Sequence, residues 1–139
     1  MQKLLLPIFF SILVSTTQVW AAEDDKTEGS EAKNTAYVSL GDAMVMNLSN
    51  DSKRLTFLRL QADLLLADSA SEALITTHLP AIRHELIVLL SEQSAIDMKS
   101  PSKREEIRKI ATAQIKEKIV EMTGNEDISE LLFSSFLVQ

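Results

Sequence analysis

The chain has 139 residues, room for one folded domain, with 14 Lys and Arg against 20 Asp and Glu and a formal charge of -6. That acidic balance gives a nucleic-acid role no electrostatic footing. Cysteine is absent and only three glycines occur, so disulfides, thiolate chemistry and a glycine-rich phosphate loop are all excluded.

In chain order, the first feature is an apolar run, Leu4 to Val14, behind the single charge of Lys3. Polar residues Ser15 to Gln18 follow, and Val19-Trp20-Ala21 supplies the residues of a cleavage site. Charge, apolar core and cleavage site in this order predict a secretory signal peptide over 1–21, cut after Ala21. The alternative is an uncleaved anchor, which needs roughly 20 apolar residues; this run has 11. Residues 22–35 carry Glu23, Asp24, Asp25, Glu28 and Glu31 with no large apolar side chain, which predicts an acidic flexible linker. The folded unit is then 36–139, with no membrane span in the mature form and a place outside the inner membrane, in the periplasm.

Within it, Tyr37–Leu40 and Met44–Leu48 read as short strands, stopped by Gly41-Asp42 and by Ser49–Ser52. Leu58, Leu60, Ala62 and Leu64 alternate with Arg59, Gln61 and Asp63, a strand with one core face and one wet or partner-facing face. Ser69 to Glu72 has the form of a capping box. The helix it opens places Ile75, Leu79, Ile82, Leu86 and Leu89 on one face, and Pro80 predicts a kink or a helix start. Leu74, Ile87, Val88 and Leu90 widen that face, predicting either an exposed contact band or cover by the second helix or the Ala95–Lys99 loop. Ser100-Pro101 opens a second helix, striped by Ile107, Ile110, Ala111, Ile115 and Ile119 and ended by Gly124. Ile128 to Val138 is a last strand, apolar on both faces, which predicts an interior position in the sheet and full burial of Phe133. The order β-β-β-α-α-β is that of an α+β domain, an antiparallel sheet with two helices packed on one face.

Catalytic patterns are weak. His84-Glu85 lacks the second histidine of a zinc protease, since position 88 is Val88, and His78 lies about 120° around the helix. No serine sits in a nucleophile elbow. Glu105 and Glu106 are adjacent on a helix and diverge by about 100°, too far to act as a paired acid and base. Met44 and Met46 share a strand face and belong to the core. No cofactor, metal or catalytic residue is expected, and by elimination the domain binds or scaffolds.

Six segments then resemble the FliL family of flagellar basal-body-associated proteins. They are Tyr37-Val38-Ser39-Leu40, Val45-Met46-Asn47-Leu48, the strand Leu58–Leu64, Leu79-Pro80-Ala81-Ile82-Arg83-His84-Glu85-Leu86-Ile87, Leu89-Leu90-Ser91, and the final Leu132–Gln139. His84 stands where the family has Asp, and Ser102–Ile107 lacks the family's glycine at the start of the second helix. The resemblance implies a stomatin-like (SPFH) fold that assembles into rings around flagellar stator units. Familiar members carry a transmembrane anchor, so the leader here suggests a soluble paralogue working beside an anchored FliL. The function expected is that of a non-enzymatic interaction protein at the flagellar basal body, supporting stator assembly or motor function in swimming, swarming and chemotaxis. Its partners would be stator proteins, further copies of itself or an anchored FliL. Arg59, Gln61, Asp63 and Arg83 are the candidate polar interface residues, and Ile87 and Val88 the apolar ones. A local ion pair of Arg83 with Glu85 or Glu92 is the plainer reading of that residue. The rival function is a periplasmic ligand-binding or inhibitor domain unrelated to motility, which a concave apolar pocket would support.

Overall fold

Strand β3 (Thr56–Leu66) runs through the middle of a four-stranded antiparallel sheet, with main-chain partners along both edges. On one edge β1 (Ala36–Ser39) pairs with its second half and β2 (Met44–Leu48) with its first half. On the other edge β4 (Ile128–Val138) pairs along its whole length. The computed structural model describes residues 34–50 and 54–139. The expected leader 1–21 and most of the linker 22–35 lie outside the described residues.

Leu58, Leu60, Ala62, Leu64 and Leu66 of β3 are all buried, and they share one cluster with the inward residues of the helices. Helix α1 (Glu72–Thr77) contributes Ile75, α2 (Leu79–Ser91) contributes Ile82, Leu86 and Leu90, and α3 (Pro101–Thr123) contributes Ile107, Ala111, Ile115 and Ile119. Burying one such leucine is worth about 1.5–3 kcal/mol, so this layer is the main source of stability. The α+β class and the antiparallel sheet are as expected from sequence, but three helices pack on it, not two. The extra helix arises at His78, where the chain turns by 73° between α1 and α2. Pro80 lacks an N–H and sits in the first turn of α2, where that N–H has no partner to lose. The capping box at Ser69 does not form. Asp68 caps this turn instead, accepting from the Ala70 N–H at 2.9 Å, and Ser71 is buried against Asp127.

Strand β4 corrects a second expectation. It is an edge strand, and its register with β3 slips twice, skipping Ser129 and Ser134. Each slip is a bulge that resets the two-residue period. Ile128, Leu131, Phe133, Phe136 and Val138 therefore lie opposite the buried residues of β3 and all face the helices. Alternation through the bulges had assigned them to two faces. Ile128 and Leu131 are buried, whereas Phe133, Phe136 and Val138 are only partly so, because the strand has no neighbour beyond it among the described residues.

After α2 the chain is stapled to the end of β2. The Ser49 N–H donates to the Gln93 carbonyl at 3.0 Å and the Ala95 N–H to the Ser49 carbonyl at 2.8 Å. Ala95 and Met98 are buried in the same core cluster. Helix α3 and strand β2 pack against α2, and Leu90 is buried while Ile87 and Leu89 pack against the core. Leu74 and Val88 stay exposed. No single helix among the described residues is long and apolar enough to cross a membrane.

Candidate functional site

The sheet has one face under the helices and one without cover among the described residues. On the uncovered face, Arg59 lies opposite Val45 on one side and Leu137 on the other. Gln61 lies opposite Ser135, and Asp63 between Ser39 and Leu132. Around them Tyr37 is 66% exposed, Val45 62%, Phe57 40% and Leu137 47%. An antiparallel sheet of one domain commonly turns a polar face to water. Here apolar side chains interleave with the polar ones over four strands, which is the composition of a contact surface more than of a solvated one. Sequence alternation located Arg59, Gln61 and Asp63 here. It missed Tyr37, Val45 and Leu137, whose strands are too short or too bulged for period counting.

The structure does not bring Arg83, Ile87 or Val88 to that surface. All three sit on α2, on the other side of the sheet. Arg83 Nη1 donates to the carbonyls of Leu40 and, at 2.8 Å, of Asp42, so the guanidinium clamps the turn between β1 and β2. Gly41 in that turn has φ +86°, which a side chain would strain. The partners of Arg83 are thus main-chain oxygens of the turn, and no ion pair with Glu85 or Glu92 is formed.

The bond-rich electrostatic site lies on α3. Arg108 makes a two-pronged contact with Glu105, at 2.7 and 2.8 Å, and reaches Glu130 of β4 at 2.6 Å. The hydrogen bond from Arg108 holds the Glu105 carboxyl below the usual carboxylate range, and the same bond raises Arg108 further. This cluster fastens helix to strand. Among the described residues no group of three or more His, Asp or Glu is placed to hold a metal, and every buried side-chain polar atom has a partner. His84 is exposed and His78 half-buried.

Residues 37–139 match the family described as flagellar basal body-associated protein FliL. The chain belongs to the FliL family. No curated protein matches it. The match runs from β1 through β4 and so covers all four strands and all three helices of this FliL domain. A role associated with the flagellar basal body, and through it with motility, follows from the family. The family-like segment Leu79–Ile87 is the start of α2, and its arginine is the clamp on the β1–β2 turn. Leu58–Leu64 is the central strand and Leu132–Gln139 is the edge of the sheet. The segments that made the FliL resemblance legible are therefore mostly framework, although Val45, Arg59, Gln61, Asp63 and Leu137 within them also face the uncovered side of the sheet.

Proposed function

We propose that this FliL domain is a non-enzymatic interaction protein of the flagellar basal body that supports the assembly or retention of stator units. Supporting this reading are the family match over 37–139 and the uncovered sheet face that combines Arg59, Gln61 and Asp63 with exposed Tyr37, Val45 and Leu137. In this reading the leader 1–21 is removed after Ala21 and residues 22–35 tether the domain in the periplasm at the inner membrane. Stomatin-like copies of the domain, or an anchored FliL, then form a ring around the stator. Ile87 and Val88 on α2 are the proposed apolar contact between neighbours, with Val88 the exposed member.

The test is a gentle-detergent pull-down of the full chain from its own cells, paired with deletion of its gene. Stator proteins should co-purify, and swimming should be impaired and then restored by the full chain. Normal swimming after deletion, with no motor component retained, would refute the proposal. Mass analysis of the mature N-terminus tests the leader, and a membrane-bound product that keeps Met1 counts against cleavage.

A further inference from the structure

The free edge of β4 is closed at one end and open at the other. At Leu131 it is closed: the N–H donates to Thr112 Oγ1 at 3.2 Å and the carbonyl accepts from Arg108 Nη1 at 2.8 Å. These two α3 residues, one turn apart, occupy the groups that an added strand would need. Beyond Leu131 the groups follow from the ladder. Phe57 and Gln139 exchange both of their main-chain bonds, at 2.8 and 2.9 Å. By antiparallel alternation Val138 and Phe136 then point their N–H and C=O away from β3. Leu131 and Phe133 do the same on the far side of the bulge. From Phe133 to Val138 these groups have no strand partner among the described residues.

Beside this open stretch runs a groove of about 340 Å³ between α3 and β4. Its floor is Phe133 and Phe136, with ring centroids 5.4 Å apart. Its wall is the first turns of α3, where the Arg104 guanidinium lies 5.4 Å over the Phe136 ring. Arg108 is neutralised by Glu105 and Glu130, and Lys103 by Glu106. Arg104 has no carboxylate partner among the described residues. The positive end of the α3 dipole, at Pro101, borders the same groove.

We propose that β4 accepts an extended acidic segment of a partner protein by strand addition, its main chain pairing with Phe133–Val138. An apolar side chain of that segment covers Phe133 and Phe136, and a carboxylate meets Arg104. Main-chain bonds supply affinity in this mode, and the flanking groove supplies selectivity. The acidic segment 22–35 of the chain itself carries the carboxylates but no large apolar residue for the groove. The inference stands on the edge geometry and holds whether or not the partner is flagellar.

The probe is a fluorescein-labelled eight-residue peptide alternating threonine and valine, with one central glutamate, titrated with the full chain by anisotropy. Binding is expected with a dissociation constant below about 1 mM. Replacing the glutamate with lysine should weaken it about tenfold, the loss of one charge-assisted bond. N-methylation of alternate peptide nitrogens should abolish it. In Arg104→Glu the preference should invert in favour of the lysine peptide, with Arg104→Gln showing none and both variants keeping the wild-type circular dichroism. No binding, or binding indifferent to N-methylation, would overturn strand addition. Equal affinity for the two peptides would overturn the acidic partner. A dimer in sedimentation that Arg104→Glu dissociates and the peptide displaces would give the edge to a second copy, which also overturns the proposal.

Discussion

Arg83 and Arg108 show how differently two arginines act when their surroundings differ. Arg83 holds only main-chain oxygens, so its removal leaves the Leu40 and Asp42 carbonyls without their donor. Each lost bond to a charged group costs about 1.5–3 kcal/mol when the acceptor cannot reach water. Because the Asp42 side of the turn is exposed, we expect Arg83→Ala to cost about 1–3 kcal/mol in urea unfolding. Arg83→Lys should recover part of that by reaching one carbonyl. A variant with unchanged midpoint would show that the turn holds itself. For Glu105 the sign of the pH effect is fixed by the direction of its shift. Its carboxyl is lower in the folded state, so its contribution is present above the unfolded pKa and is lost as pH falls through the folded one. A carboxyl-carbon NMR titration should place Glu105 below the usual range, and Arg108→Ala should return it there. An ordinary midpoint in both proteins would remove the Arg108 contact from solution.

Strand β4 is where period counting and packing part company. Alternation is reliable along β3 because no residue is inserted there, and Leu58, Leu60, Ala62, Leu64 and Leu66 were legible as its core face. Along β4 the insertions at Ser129 and Ser134 are invisible to a two-residue period, so the strand looked apolar on both faces. Nothing in the local sequence marks either serine as a bulge; only pairing with β3 reveals it. Inserting one residue after Ser135 should reverse the phase beyond it, turning Leu137 inward and Phe136 and Val138 out, whereas deleting the bulged Ser134 should leave them facing the helices. For the insertion we expect a loss of about 2–5 kcal/mol, the range for removing large apolar side chains from a core, measured by thermal and urea unfolding. Full stability after the insertion would mean the strand slips at no cost. Phe133→Ala belongs lower, near 1–3 kcal/mol, because the ring is only partly buried. On α2 the widened apolar face was legible, but its division into covered and open residues was not. That division depends on where α3 and β2 pack against α2, which a helical period does not show. Ile87→Glu should therefore destabilise, whereas Val88→Glu should stay within about 0.5 kcal/mol of wild type. Equal effects of the two would place both residues in the same environment.

At the scale of the molecule, the fold spends its buried area on one side of the sheet. The helices cover that side, and the other carries Tyr37, Val45, Phe57 and Leu137 around Arg59, Gln61 and Asp63. Those side chains contribute little to the core, so they can be changed without unfolding the domain. That separation makes the surface testable in cells. Val45→Lys together with Leu137→Lys should lower the melting temperature only modestly, since both positions are exposed although each new cation faces Arg59 across the sheet. The same pair places two new cations beside Arg59, opposite which both residues stand. Like charges directly opposed across a sheet repel, and a partner fitted to the wild-type mixture would meet a patch of excess positive charge. If this face binds the motor, the double variant should reach normal levels yet fail to retain stator components and impair swimming. The matching variant on α2, Val88→Glu, separates the two proposed surfaces, since it leaves the sheet face intact. A loss confined to Val88→Glu would move the interface to the helices. A loss confined to the lysine pair would assign it to the uncovered sheet, where the polar residues and the exposed apolar ones already lie side by side.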